Sequence, residues 1–285
     1  MRRQMPQSEI LRALVEETRS HPDAPLQAVT TGTCLVAAAS RQLGLASLAS
    51  HIQPGLTPPP ASCPDTVHTT ASLLLDPATT NTDAASLAMA AINSLLPVPA
   101  AAMTGAGQDV LLTYGRGRRV VLVGHFPFVE KMREAFDDFQ VLEKRPRPGD
   151  TPAEKAGEIL PLAEVVAITG TTLLNGSLAG LLAACRPDAV VIMLGPTTPF
   201  AASLFACGVD VLAGCGVPDP DAALAGIRAG HCFKGLQGVR QLTWVRPGLG
   251  DSAATPPPGL LPSFPDRGDA PPGPQCPAST ALPRA

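Results

Sequence analysis

The chain has 285 residues, of which 45% are hydrophobic and 16% charged, so it is expected to fold around a packed core. Its formal net charge of −3 supplies no basic field, which argues against nucleic acid as a partner. Aromatic residues make up only 4%, so that core must be built mainly from small aliphatic side chains.

Residues 8–19 predict an amphipathic helix, with Ile10, Leu11, Leu14 and Val15 as its apolar stripe and Ser8 as N-cap. His21-Pro22 ends it. Residues 26–36 then predict one strand running through Thr30-Thr31-Gly32-Thr33, while 43–51 fits helix or strand equally well. The Pro-rich stretch 54–64 is a loop, and Thr82-Asp83 caps a second, alanine-rich helix that Pro97 stops. These features make residues 1–100 a small α+β unit. The stretch 97–107 (PVPAAAMTGAG) is the natural boundary, followed by a short helix near 109–114.

From residue 118 the texture changes. Apolar runs occur at 120–123, 139–142, 165–168, 189–194, 209–212 and 242–245. Helical patterns at 128–136, 173–184, 201–206 and 220–229 separate most of them. Strands alternating with helices predict a doubly wound α/β domain on a parallel sheet over residues 101–246. Residues 247–285 hold eleven of the 32 prolines and almost no apolar periodicity, the composition of a disordered tail.

The centre of this pattern is 165–200, which reads as strand, helix, strand, with a glycine- and hydroxyl-rich turn after each strand. Ligands of such sheets bind outside the carboxyl ends of the strands, so these turns are the first candidates for a site. Thr169-Gly170-Thr171-Thr172 with Asn175 offers hydroxyls and helix-start amides to a carboxylate or phosphate, although one of those threonines could serve simply as a cap. Gly195-Pro196-Thr197-Thr198-Pro199 would form a rigid wall on the same edge.

The first strand ends VLVGHFPFVEKMRE, where Gly124 permits a sharp turn and leaves amides free for an anion. Pro127 and Val129 stand where a dinucleotide fingerprint would carry further glycines, which argues against ordinary dinucleotide binding. Glu143, at the end of the next strand, matches the acid that grips a ribose in sites of that kind and suggests an adenosine-containing ligand. A solvated surface glutamate is the competing account.

Neither CxxC nor HxxxH spacing is present to put two donors on one metal ion, and GxSxG is absent. Seven cysteines in this arrangement do not make a disulfide framework. With no apolar leader in MRRQMPQSEI and no run of 18 apolar residues, a reduced, cytoplasmic protein without a membrane partner is expected.

The segments VGHFPFVEKMR, VLEKRPRPGD, ITGTTLLNGSLAGLL and VIMLGPTTPFAASLFACGVDVLAG together resemble the putative heavy-metal chelation family, long catalogued as a domain of unknown function. The resemblance covers 118–245 and extends to 8–97, where VTTGTCLVA and AMAAINSLLP match the family's first unit. It implies a Rossmann-like domain preceded by a small enolase-N-terminal-like domain, with a ligand in the cleft between them. Carried over by motif, the ligand-binding positions are Gly124, Phe126 and Pro127; Glu143 and Pro146; Thr169, Gly170, Thr171, Thr172 and Asn175; and Gly195, Pro196, Thr197, Thr198 and Pro199. Gly32 and Asn93 match motifs of the first unit, whereas residues 52–70 are Pro/Thr-rich where the family has a glycine-rich segment.

Two functions follow from the resemblance. One is binding of a small anionic or nucleotide-like ligand together with a transition-metal ion, the partner being a small molecule or metal chelate and the assembly a candidate homodimer. The other is an enzyme that uses an S-adenosylmethionine-like cofactor to make or modify a metal-chelating metabolite.

Overall fold

The computed structural model describes residues 5–52 and 66–249. The loop expected at 54–64 and nearly all of the tail expected at 247–285 lie outside the described residues.

Helix α1 (Gln7–Arg19) buries Ile10, Leu14, Val15 and Thr18, and Thr18 meets its own polar demand by donating to the Leu14 carbonyl at 2.8 Å. Pro6, not Ser8, is its N-cap, because the helix starts two residues earlier than the hydroxyl suggests. The single strand expected over 26–36 is two. β1 (Ala28–Thr31) turns at Gly32, whose amide donates to the Leu35 carbonyl, and returns as β2 (Leu35–Ala39). β3 (Leu43–Ser47) completes an antiparallel sheet in the order β1-β2-β3. The ambiguous 43–51 therefore holds both a strand and a short helix, α2 (Ala49–Ile52).

After α3 (Val67–Ala71) and two 3-10 turns comes α4 (Asp83–Leu95), buried along nearly its whole length. Thr82 occupies its N-cap position, but the Thr82 hydroxyl donates to Thr79 O at 2.6 Å instead of capping. Asp83 and Ser86 use their side chains to fix α2, accepting the amides of Ser50 at 2.8 Å and Ala49 at 3.0 Å. The alanines of α4 allow β3 to lie directly on its backbone. A Cβ on Gly44 would overlap Ala90 O and Ser94 N and come within 2.6 Å of Asn93 C.

The second sheet has eight strands: β4 (Met103–Thr104), β5 (Val120–Val123), β6 (Phe139–Glu143), β7 (Thr151–Pro152), β8 (Val165–Thr169), β9 (Val190–Leu194), β10 (Val211–Gly216) and β11 (Arg240–Val245). Between them run α5 (Gly107–Gly115), α6 (Val129–Ala135), α7 (Ala156–Ile159), α8 (Leu178–Ala184), α9 (Ala202–Ala206) and α10 (Pro220–Arg228). The order is β4-β11-β10-β9-β8-β5-β6-β7, and every pair from β10 to β7 is parallel. β11 is antiparallel to both β10 and β4, which corrects the wholly parallel expectation. Its mostly half-exposed side chains suit the border of the sheet, unlike the continuous burial of β9.

The helix expected over 173–184 also differs. A 3-10 turn (Gly170–Thr172) comes first and α8 starts only at Leu178. Asn175 Oδ1 accepts from the Ser177 amide at 3.1 Å and hydroxyl at 2.6 Å, a local turn that competes with helix, and Gly176 follows with φ +74°.

The pleat divides the sheet's side chains between two faces. Val120, Leu122, Val141, Val165, Ala167 and Ile192 pack with Val110, Leu111 and Tyr114 of α5 and Val129 and Met132 of α6. Val121, Val123, Val166, Ile168, Val191 and Met193 join a core that continues through α8, α9 and α1 into α4 and the inner face of the small sheet. α1 fixes this arrangement with two polar anchors. Glu17 accepts the amides of Ala202 and Ser203 at 2.7 and 2.8 Å, and Gln7 accepts that of Ala179 at 3.1 Å.

A third cluster joins Cys34, Leu35 and Leu45 to Ala223 and Ile227 of α10, and there Cys34 is disulfide-bonded to Cys232 across 5.3 Å between Cα atoms. The cysteine pattern argued against a disulfide framework, but these two residues, 198 positions apart, are brought together by the packing of β2 against α10 and not by sequence spacing. Among the described residues no helix is long and apolar enough to cross a membrane.

Candidate functional site

The strand order reverses at β5: the chain passes to β6 on one side and then to β8 on the other. At such a point the loops leaving the two strands diverge and open a crevice beyond their carboxyl ends. Gly124 and Thr169 are the residues at that opening. Gly124 (φ +103°) and Gly195 (φ +105°) adopt a conformation that disfavours residues with a Cβ. Both lie under the Phe126 ring, whose atoms are 3.5 Å and 3.9 Å from where Cβ atoms would stand, and Thr169 is 3.2 Å from the Gly124 position. The loops after β5 and β9 therefore meet at Phe126, with Thr169 of β8 beside Gly124, and Phe126 also stacks on Phe128 with ring centroids 5.2 Å apart.

The loop after β5 is held by two carboxylates. Glu143 accepts the amide of His125 at 2.8 Å and that of Arg145 at 3.2 Å, so this acid organises the loops themselves. Asp150, whose side chain is wholly buried, accepts from three groups: His125 Nδ1 at 2.7 Å, Arg133 Nη2 at 2.7 Å and the Arg147 amide at 3.1 Å. With Nδ1 donating to a carboxylate, the His125 ring is fixed in one orientation and Nε2 is left to accept a proton or ligate a metal. Nε2 has no hydrogen-bond partner among the described residues, and the side chain retains 12% exposure.

The loop after β8 is knit by its own hydroxyls. Thr169 Oγ1 lies 3.1 Å from Thr171 Oγ1, and Thr172 Oγ1 donates to Thr169 O at 2.8 Å. Gly170 is the point of contact with the loop after β9, since a Cβ there would stand 2.8 Å from Thr198 N and 2.9 Å from Thr198 Oγ1. The small sheet closes the other side. Thr197 Oγ1 accepts the Ser47 amide at 2.9 Å, while Asn93 donates to Leu45 O at 2.8 Å and Pro196 O at 3.3 Å. Thr198 Oγ1 is buried with no partner among the described residues, which costs about 1–3 kcal/mol unless a water or ligand meets it.

Of the positions read from the sequence, Gly124, Phe126, Thr169, Gly170, Gly195, Pro196, Thr197, Thr198 and Asn93 thus come together. Pro127 and Pro146 are exposed on their loops. Asn175 is engaged locally with Ser177, and Gly32 packs against Ile227 of α10. Asp150 and Arg133 were missed in the sequence. No spacing links them to His125, and the only hint was a lone acid at the end of the RPRPGD turn.

A hollow of about 440 Å³ lies at the opposite end of the sheet, lined by Arg119, Asp138, Glu164 and Arg186 among others. Its charges are largely matched within the protein, Arg119 with Asp138 at 2.6 Å and Arg186 with Asp188 at 2.7 Å. It lies away from the strand-end loops and offers no comparable chemistry.

Comparison with known proteins bears on this arrangement. Residues 107–246 match the model of the family described as putative heavy-metal chelation. No curated protein matches the chain. A solved structure from Desulfitobacterium hafniense, of unknown function and assigned to that family, is 25% identical; the match covers 84% of this chain and 98% of that one with a TM-score of 0.71. A second family structure, from Pyrococcus horikoshii and also of unknown function, is 19% identical, covers 85% and 100%, and has a TM-score of 0.69. The loops after β5, β6, β8 and β9 all fall inside residues 107–246, the segment that matches the model of the putative heavy-metal chelation family.

Proposed function

We propose that the protein binds a metal chelate, a small anionic ligand carrying a transition-metal ion, in the cleft between the small sheet and the carboxyl edge of the large one. The observation that carries this reading is His125, held through Nδ1 by the buried Asp150 at 2.7 Å beside the point where strand order reverses. An imidazole oriented by a carboxylate is the usual setting of a metal-ligating histidine.

The donors near His125 are too few for a free ion. Glu143 is occupied by backbone amides, and the hydroxyls of Thr169 and Thr171 face each other. A chelate that brings its own donors needs one imidazole from the protein and amides for its carboxylates, which these loops supply. An adenosine-containing cofactor gains less support, because Glu143 would have to serve a ribose while still holding the His125 and Arg145 amides.

Calorimetric titration of the protein, with its disulfide intact, against cobalt citrate and against citrate alone tests the proposal. The cobalt chelate is expected to bind, and His125→Gln to weaken that binding at least tenfold by removing the donor. Equal affinity of the variant, or equal affinity for citrate with and without cobalt, would overturn it.

A further inference from the structure

Outside the strand-end loops, one group of side chains combines metal-ligating chemistry with convergence. Cys34 Sγ, Cys232 Sγ and a ring nitrogen of His51 all lie within 4.8 Å of one another. Each donor is placed by a different element. Cys34 directly precedes β2, and its carbonyl accepts the Leu48 amide at 2.9 Å. His51 rides on α2, which Asp83 and Ser86 pin to the first turn of α4. Cys232 follows the turn that ends α10, where the His231 amide donates to Gly226 O at 2.9 Å.

The group spans a joint in the fold, and it borders the candidate cleft, since the Ser47 amide that donates to Thr197 Oγ1 directly precedes Leu48. Cys34 is buried, Cys232 is half-buried and His51 is exposed, so the group opens to solvent on the imidazole side.

We propose that Cys34, Cys232 and His51 form a second, redox-gated metal site, specific for a thiophilic cation such as Zn²⁺. Oxidised, the two sulfurs are joined and have no thiolate to offer. A dithiol reductant delivers two electrons and two protons to the disulfide, becomes a disulfide itself, and leaves two thiols. The cation then displaces both thiol protons and takes two thiolates and one imidazole.

Tetrahedral zinc with sulfur ligands at about 2.3 Å places those sulfurs about 3.8 Å apart, so the two sulfurs, bonded to each other in the oxidised state, separate on reduction by side-chain rotation about Cα atoms 5.3 Å apart. Three protein donors leave the fourth position for water or for a donor from outside, as in open zinc sites. The two states cross-link the same elements, so reduction in the presence of metal exchanges one bolt between β2 and the end of α10 for another. Sequence gave no sign of this site because its donors lie at 34, 51 and 232. Of the other cysteines described, Cys215 is a poor competitor, its thiol pushed up to about 12 by burial, and Cys185 and Cys207 are buried among apolar side chains.

Cobalt(II) titration followed by absorbance tests the proposal on the full chain, because only thiolate ligation gives a near-ultraviolet sulfur-to-cobalt charge-transfer band. The reduced protein is expected to develop the band at one equivalent and the oxidised protein to lack it. Cys232→Ser should abolish or sharply reduce the band. His51→Gln, a change at an exposed position that the fold tolerates, should weaken cobalt binding at least tenfold. Zn²⁺ should raise the melting temperature of the reduced wild type and have less effect on His51→Gln. His125→Gln should leave the band unchanged, which separates this site from the one in the cleft. A reduced wild type without the band, a band that persists in Cys232→Ser, or a His51→Gln variant that binds cobalt as tightly as wild type would overturn the proposal.

Discussion

Asp150→Ala is expected to lower the stability of the protein by about 3–5 kcal/mol, the cost of removing one partner from a buried ion pair. The Asp150 carboxylate has no exposed side-chain surface, and Arg133, 26% exposed, ends 2.7 Å from it. With the acid gone, the guanidinium keeps only the exposed Glu130, 3.6 Å away, His125 Nδ1 loses its acceptor and the Arg147 amide loses its cap. A double variant, Asp150→Ala with Arg133→Met, should recover part of the loss, because an apolar pair of similar bulk leaves no charge stranded. Urea denaturation of both variants checks this. A loss under about 1 kcal/mol for Asp150→Ala would mean that the pair is worth no more than an exposed one.

The second large effect is expected in the small sheet. Gly44→Ala should cost about 3 kcal/mol or more, at the upper end of what overpacking exacts, since the new methyl meets backbone and not a flexible side chain. Its Cβ would overlap Ala90 O and Ser94 N, so β3 must lift from α4 or the helix must bend. Lifting β3 also displaces the Ser47 amide and Leu45 carbonyl, through which Thr197 and Asn93 reach the candidate cleft. The thermal unfolding midpoint of the variant measures the cost, and a midpoint equal to wild type would show that β3 and α4 are not in backbone contact.

How much of this could be read from the amino acids depended on the range of the interactions involved. The strand-end loops were legible because the apolar runs of β5, β8 and β9 stop at Gly124, Thr169 and Gly195, and parallel pairing then puts those stops on one edge. The hairpin at Gly32 was not, since Thr30, Thr31 and Thr33 are as good in a strand as beside a turn and only the glycine marked the reversal. The late start of α8 hinged on Asn175 bonding to Ser177, a local competition that leucine periodicity cannot register. The antiparallel course of β11 beside β10 was not legible, since an apolar run reads the same in either direction, and β4, with two residues, is too short to leave a pattern.

In the site, the hydroxyl-rich loops were visible, but the groups that orient His125 were not. Asp150 comes 25 positions later, after a proline- and arginine-rich turn, and its role depends on burial and on meeting His125 and Arg133 in the folded chain. Glu143 shows the converse. Its place at the end of a strand suggested an acid that grips a ribose, whereas in the folded chain its oxygens hold the neighbouring loops.

The central claim, that a chelated metal sits where the strand order reverses and takes His125 as a ligand, is tested most directly by soaking crystals of the oxidised protein with cobalt citrate and mapping the cobalt by its anomalous scattering. A peak is expected about 2.0–2.2 Å from His125 Nε2, bounded by the loops that carry Phe126, Thr169 and Gly195. Anomalous density elsewhere, with none at His125, would contradict it.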